Sequence, residues 1–349
     1  MYEKCYLFTL NENLRLESIR DLLKEDYSFV PNTLKEYGDD IEYKNINVWG
    51  TPGETIILNE RTKYFIAEGS MEVLIDSALY KDGTLKPKEY RVNRMNVSVI
   101  FLEINVATDI YVTYALMEGS GYQVQAIKTH LLGSKVELMS REFRKKWKIS
   151  RENIYLNFAE DFFLWILLKK EKKEIYFDNI RITDINHIDD INEMHNREHK
   201  TSGDNILSDL LSSVALTLEP KLLSLGILVE TVLGKFDFVL NTDSSIILKE
   251  ESSFLIIDNE NVPIDEDNKK IVYLYIYGYI LPNFVDEFNQ KRAELTEFQE
   301  EKTKFLYTQG KKAFLRLANS LGYVDKAFNH EDVEKIEIKI EEKREMVLK

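Results

Sequence analysis

The chain has 349 residues, 44% hydrophobic and 30% charged, with 60 Asp and Glu against 46 Lys and Arg and a formal net charge of −14. A pI near 5.1 excludes broad attraction to nucleic acid or anionic lipid, because an acidic surface repels polyanions at long range; only a local basic patch would overcome it. One cysteine, Cys5, excludes an intrachain disulfide, and the apolar content suffices for one large core or two.

Residues 1–135 read as a β-rich α+β unit, because β-branched and aromatic runs alternate with turn residues. The expected strands are "CYLFTL", "TIILNE", "KYFIAEG", "NVSVIFLEI", "DIYVTYAL" and "YQVQAIKTHL", with an amphipathic helix from Leu14 to Leu23 after the first. Glu118-Gly119-Ser120-Gly121 reads as a hairpin turn and not as a phosphate loop, since neither a third glycine nor a helix start follows at the required spacing.

Residues 136–282 are expected to form a second α+β domain, a mixed sheet around one buried helix. That helix is "NFAEDFFLWILLKK", apolar almost all round, with Asn157 and Glu160 spaced as a capping box. "EIYFDNIRI" follows as a strand. A short helix comes next, its stripe formed by Ile185, Ile188, Ile191 and Met194, and then a longer helix over residues 204–218 that stops before Pro220. Strands are expected at "LLSLGILVETV", "KFDFVLN", "SIILKE" and "SFLIID". In "IVYLYIYGYI", Tyr273, Tyr275, Tyr277 and Tyr279 alternate with aliphatic residues, which predicts a central strand over 271–280.

Residues 283–349 read as a helical C-terminal region. Phe288, Leu295, Phe298 and Phe305 give an apolar seam of roughly heptad spacing, interrupted by Lys291 and Lys302, so a docking helix is expected rather than a long coiled coil. A second helix, "KKAFLRLANSLGY", ends at Gly322, and "KIEIKIEE" alternates like a strand. No apolar leader begins the chain, and no apolar run reaches the ~20 residues of a membrane-spanning helix, so a cytoplasmic protein without a membrane partner is expected.

Three constellations carry chemistry. His195 and His199, four apart on the short helix, could bind Zn²⁺ with Glu198 activating a water, the H-x-x-E-H arrangement. No third ligand has a preferred spacing, and histidines at a helix C-terminus already complement its dipole, so no cofactor is predicted and zinc is kept as the alternative. Arg141, Arg144, Lys145, Lys146, Lys148 and Arg151 stand against an acidic background with Trp147 among them, a local patch able to hold phosphates and stack a base. The E-x-K at Glu337 and Lys339 resembles metal-nuclease carboxylates, but in a charged tail such matches are cheap.

The reading is therefore a non-enzymatic interaction or assembly protein, bound to a protein partner or to a second copy through the C-terminal seam. The alternative is a nucleic-acid-binding component, as an antiviral defence system would use, acting through residues 141–151; a metal hydrolase is third.

Overall fold

The structure is a computed structural model. It describes residues 4–10, 15–24, 27–29, 45–74, 80–84, 86–87, 92–106, 109–117, 149–150, 160–172, 176–177, 179–192, 197–203, 206–208, 212, 216, 221–293 and 295–320. Its strands are β1 (Lys4–Leu10), β2 (Tyr27–Phe29), β3 (Asn45–Trp49), β4 (Ile56–Ile57), β5 (Thr62–Leu74), β6 (Val92–Val106), β7 (Asp109–Met117), β8 (Ile149–Ser150), β9 (Tyr176–Phe177), β10 (Ile180–Asn192), β11 (Arg197–Ser202), β12 (Lys221–Thr231), β13 (Gly234–Asn241), β14 (Ile246–Leu248), β15 (Phe254–Ile257) and β16 (Glu260–Pro263). The helices are α1 (Leu16–Leu22), α2 (Glu160–Glu171), α3 (Lys269–Tyr275), α4 (Leu281–Ala293) and α5 (Leu295–Ser320), and a π-helical turn at Ile276–Ile280 joins α3 to α4. The fold is α+β.

Every described strand pair is antiparallel, in the order β11-β10-β12-β13-β14-β1-β7-β6-β5-β3-β2. β1 is the joint. Lys4 and Cys5 pair with Ile247 and Ile246 of β14, whereas Tyr6 to Leu10 pair with β7, so one strand belongs to two ladders. The long β5–β6 ladder sets Phe65 opposite Phe101, and their rings stack at 4.9 Å.

As expected, α2 is apolar almost all round, and Phe162 to Leu168 are buried without a break. It packs on β10 and β12 along one flank and on α4 and α5 along the other. Phe162, Trp165, Phe288 and Phe298 form one aromatic cluster, with edge-on contacts of 5.4 Å for Phe162–Phe288 and 6.1 Å for Phe288–Phe298. One core therefore runs from Cys5 and Ile100 through α2 to Phe305, joining the three stretches that the sequence suggested as separate units.

Four expectations change. Residues 271–280 are helical, not a central strand: every position there is apolar or aromatic, so alternation cannot separate a buried strand from a buried helix. "EIYFDNIRI" is a hairpin, β9 turning into β10 with Asn179 at φ 71°. The short helix through Ile185 and Ile188 is the strand β10. Its spacing of three arises because extra residues between Ile182 and Asp184 and between Ile185 and His187 bring Ile182, Ile185 and Ile188 all to the buried face. The C-terminal helices divide elsewhere than expected: the seam spans α4 and the start of α5, and α5 runs unbroken through Gly310 into the segment expected as a separate second helix.

The seam lies inward as well. Phe288, Phe298 and Phe305 are buried in the chain's own core; Leu295 begins α5, and its side chain lies outside the described residues. Lys302, which interrupted the heptads, bonds Asp161 of α2 at 3.0 Å, and Lys169 of α2 pairs with Glu287 of α4 at 2.5 Å. The expected strand at 122–131, the capping position Asn157, most of the helix over 204–218 and everything beyond Ser320 lie outside the described residues. No described helix is long and apolar enough to cross a membrane.

Phe288→Ala should destabilise the fold by about 3–5 kcal/mol in urea unfolding, the usual cost of emptying a buried aromatic site. A loss within about 0.5 kcal/mol would place that seam on the surface instead.

Candidate functional site

The helix that replaces the expected strand carries a proline in its first α4 turn. Pro282 has no N–H, so the carbonyl four residues back, that of Gly278, has no helical donor. The chain widens there into the π turn, and a neighbour supplies the missing bond: the Thr62 hydroxyl, at the start of β5, donates to the Gly278 carbonyl at 2.7 Å. Thr62 is placed by an Asx turn, in which the Asn59 side-chain oxygen accepts from the N–H groups of Arg61 and Thr62 at 2.8 Å each. Glycine at 278 lets the two elements approach closely, since a Cβ there would stand 2.8 Å from the end of the Leu58 side chain and 3.1 Å from the Thr62 methyl, and both would have to shift.

Between this broken helix and the β4–β5 turn lies a cleft of about 220 Å³. Asn59, Glu60, Arg61, Tyr279, Pro282 and Asn283 line it. The Arg61 guanidinium donates to the Asp286 carboxylate. Burial pushes the Asp286 carboxyl up from its usual value, while Arg61 opposes that shift. The Asn283 amide donates to the Tyr279 carbonyl at 2.8 Å.

A second polar cluster sits where β10 bulges. The extra residue is Asn186, opposite Gly226, where a Cβ would come within 2.5 Å of both Asn186 and His187. The bulge turns Asn186 inward, so that its amide donates to both oxygens of the buried Asp237 at 2.9 Å. Lys249 reaches the Asn186 oxygen at 2.8 Å and Asp237 at 3.3 Å, and Ser252 donates to Asp237 at 2.8 Å. That carboxylate is fully satisfied, as a buried charge must be. Beside it, desolvation lowers the His187 imidazole from its usual value, only partly offset by Asp189, and its Nδ1 lies 2.7 Å from the Ser202 hydroxyl.

The metal constellation loses its helix. Glu198 and His199 occupy successive positions of β11, opposite Ile191 and Asp190, and such positions alternate between faces; His195 lies outside the described residues. Among the described residues no group of three or more His, Cys, Asp or Glu is arranged to hold a metal. Arg141, Arg144, Lys145, Lys146, Trp147, Lys148 and Arg151 lie outside the described residues, as does the E-x-K at Glu337. Sequence reasoning missed Thr62, Arg61 and Asn283. Gly278 and Pro282, four apart in an apolar run, were the available signal for a broken buried helix.

One surface feature stands apart from both polar sites. The β12–β13 turn carries Val232 and Leu233, and the neighbouring β15–β16 hairpin carries Ile256 and Ile257; the Ile256 N–H donates to the Leu233 carbonyl at 2.8 Å, which joins the two tips. These residues are 68%, 39%, 38% and 47% exposed respectively. Asp258 and Asn259, both at positive φ, close the second hairpin in the manner of a two-residue type I′ turn. No protein-family model matches the chain, and no curated protein matches its sequence.

Thr62→Val should cost about 1–3 kcal/mol by leaving the Gly278 carbonyl only the long 3.5 Å bond that the Asn59 amide donates. The loss should shrink in a Pro282→Ala background, where a helical N–H becomes available; equal losses in both backgrounds would contradict the role given to Thr62. Because the folded-state pKa of His187 lies below its unfolded value, its contribution is complete above pH ~6.5 and is lost as pH falls through the folded value. His187→Asn should flatten the stability profile below pH ~6.5, measured by urea unfolding across that range.

Proposed function

We propose that this chain is a non-enzymatic interaction or assembly protein that binds a protein partner, or a second copy of itself, through the aliphatic hairpin tips. The observation that carries the reading is the exposure of Val232, Leu233, Ile256 and Ile257 together on adjacent tips. Hairpin turns ordinarily carry Gly, Asn, Asp or Ser, and adjacent large aliphatic residues left in water favour a surface that becomes covered. Exposed Tyr307, Phe314, Leu315 and Leu317 on the later turns of α5 extend the same argument to the C-terminal helices. The surface differs from the one expected from the sequence, because the aromatic seam is engaged in the core. Cutting the chain after Pro282 would remove Phe284, Phe288 and Phe298 from that core, so point substitutions are the proper probe.

The combined substitution Val232→Asp and Ile257→Asp should leave the circular dichroism unchanged while reducing wild-type dimers or larger assemblies to monomers in sedimentation velocity at micromolar concentration. A wild type that is strictly monomeric, and whose complexes in native extracts keep the same size after both substitutions, would refute the reading.

A further inference from the structure

The cleft at the π turn has the makings of a small-ligand site. Its volume, about 220 Å³, is below the ~300–1,000 Å³ of sites for drug-sized molecules, so its occupant is small. π turns inside α-helices recur at functional positions, and this one is held open by Pro282 and Gly278 against the β4–β5 turn. Arg61 has five N–H donors in a planar fork, and beyond the bond to Asp286 its guanidinium has no other side-chain bond among the described residues. The Asn283 amide nitrogen is engaged with the Tyr279 carbonyl, which leaves its oxygen as an acceptor.

The charges select the ligand. The cleft is lined by one carboxylate, Glu60, and one guanidinium, Arg61, with Asp286 paired behind the latter. A lone anion at Arg61 would meet the Asp286 carboxylate already paired with it and share the cleft with Glu60, and a lone cation at Glu60 would share it with the guanidinium. A molecule carrying both charges a few bonds apart satisfies both groups. We propose that the cleft binds a free α-amino acid or a similarly small zwitterion, its carboxylate on the open edge of Arg61 and its ammonium on Glu60 and the Asn283 amide oxygen.

The test is calorimetric titration of the full chain with glycine, L-alanine, L-serine and L-glutamate, with acetate and ethylamine as the separated charges. At least one amino acid should bind at millimolar concentration or below, with acetate and ethylamine weaker by roughly tenfold or more. Arg61→Met and Glu60→Gln should each weaken that binding by roughly tenfold, while Lys63→Met, on β5 outside the cleft lining, should not. The proposal is overturned if no amino acid of the set binds at millimolar concentration, if acetate binds as tightly as the amino acids, or if Arg61→Met binds like the wild type. Arg61 is exposed and its bond to Asp286 lies at the surface, so its replacement tests the cleft without removing any part of the core.

Discussion

One hydroxyl group ties the fold together. Tyr277, in the π turn, reaches the carbonyls of Cys5 at 3.1 Å and Ser244 at 2.9 Å, where β1 leaves β14 and begins to pair with β7. Burial holds that hydroxyl well above the usual tyrosine pKa, so it remains a proton donor throughout the physiological range. The contact joins both ladders to the broken helix, and the helix brings α4 and α5 over α2.

Departures from regular structure organise the rest. The bulges of β10 cost ladder hydrogen bonds, but they turn three isoleucines inward and aim Asn186 at Asp237. The π turn leaves a carbonyl without a helical donor, and Thr62 satisfies it from another element. In each case an irregularity in one segment is compensated by a side chain or a glycine distant in sequence, Gly226 for the bulge and Thr62 for the turn. The polar groups of the cleft stand where they do for the same reason.

The apolar residues divide into two populations by partner. Phe162 and Trp165 of α2, Phe288 of α4 and Phe298 and Phe305 of α5 lie together in the core, which makes the heptad-like seam an internal joint. The aliphatic residues at the β12–β13 and β15–β16 tips have no such neighbours and face water. Heptad spacing is the same whether a helix packs on its own chain or on another, so only the packing distinguishes the two uses.

The sequence by itself determined the α+β class, most strands of the first 117 residues, the buried helix around Trp165 and the strands from Leu222 to Ile257, because β-branched and aromatic runs between turn residues mark the strands and a long apolar run after a capping-box spacing marks the helix. It could not decide 271–280, where apolar residues at every position suit a buried helix as well as a buried strand, nor β10, where bulges turned a period of two into a spacing of three. It could not bring Arg61 and Thr62 to Gly278 and Asn283, separated by more than two hundred residues. Local periodicity is written into neighbouring residues, whereas a shared core, a covered seam and a cleft come from long-range pairings that only the folded chain selects.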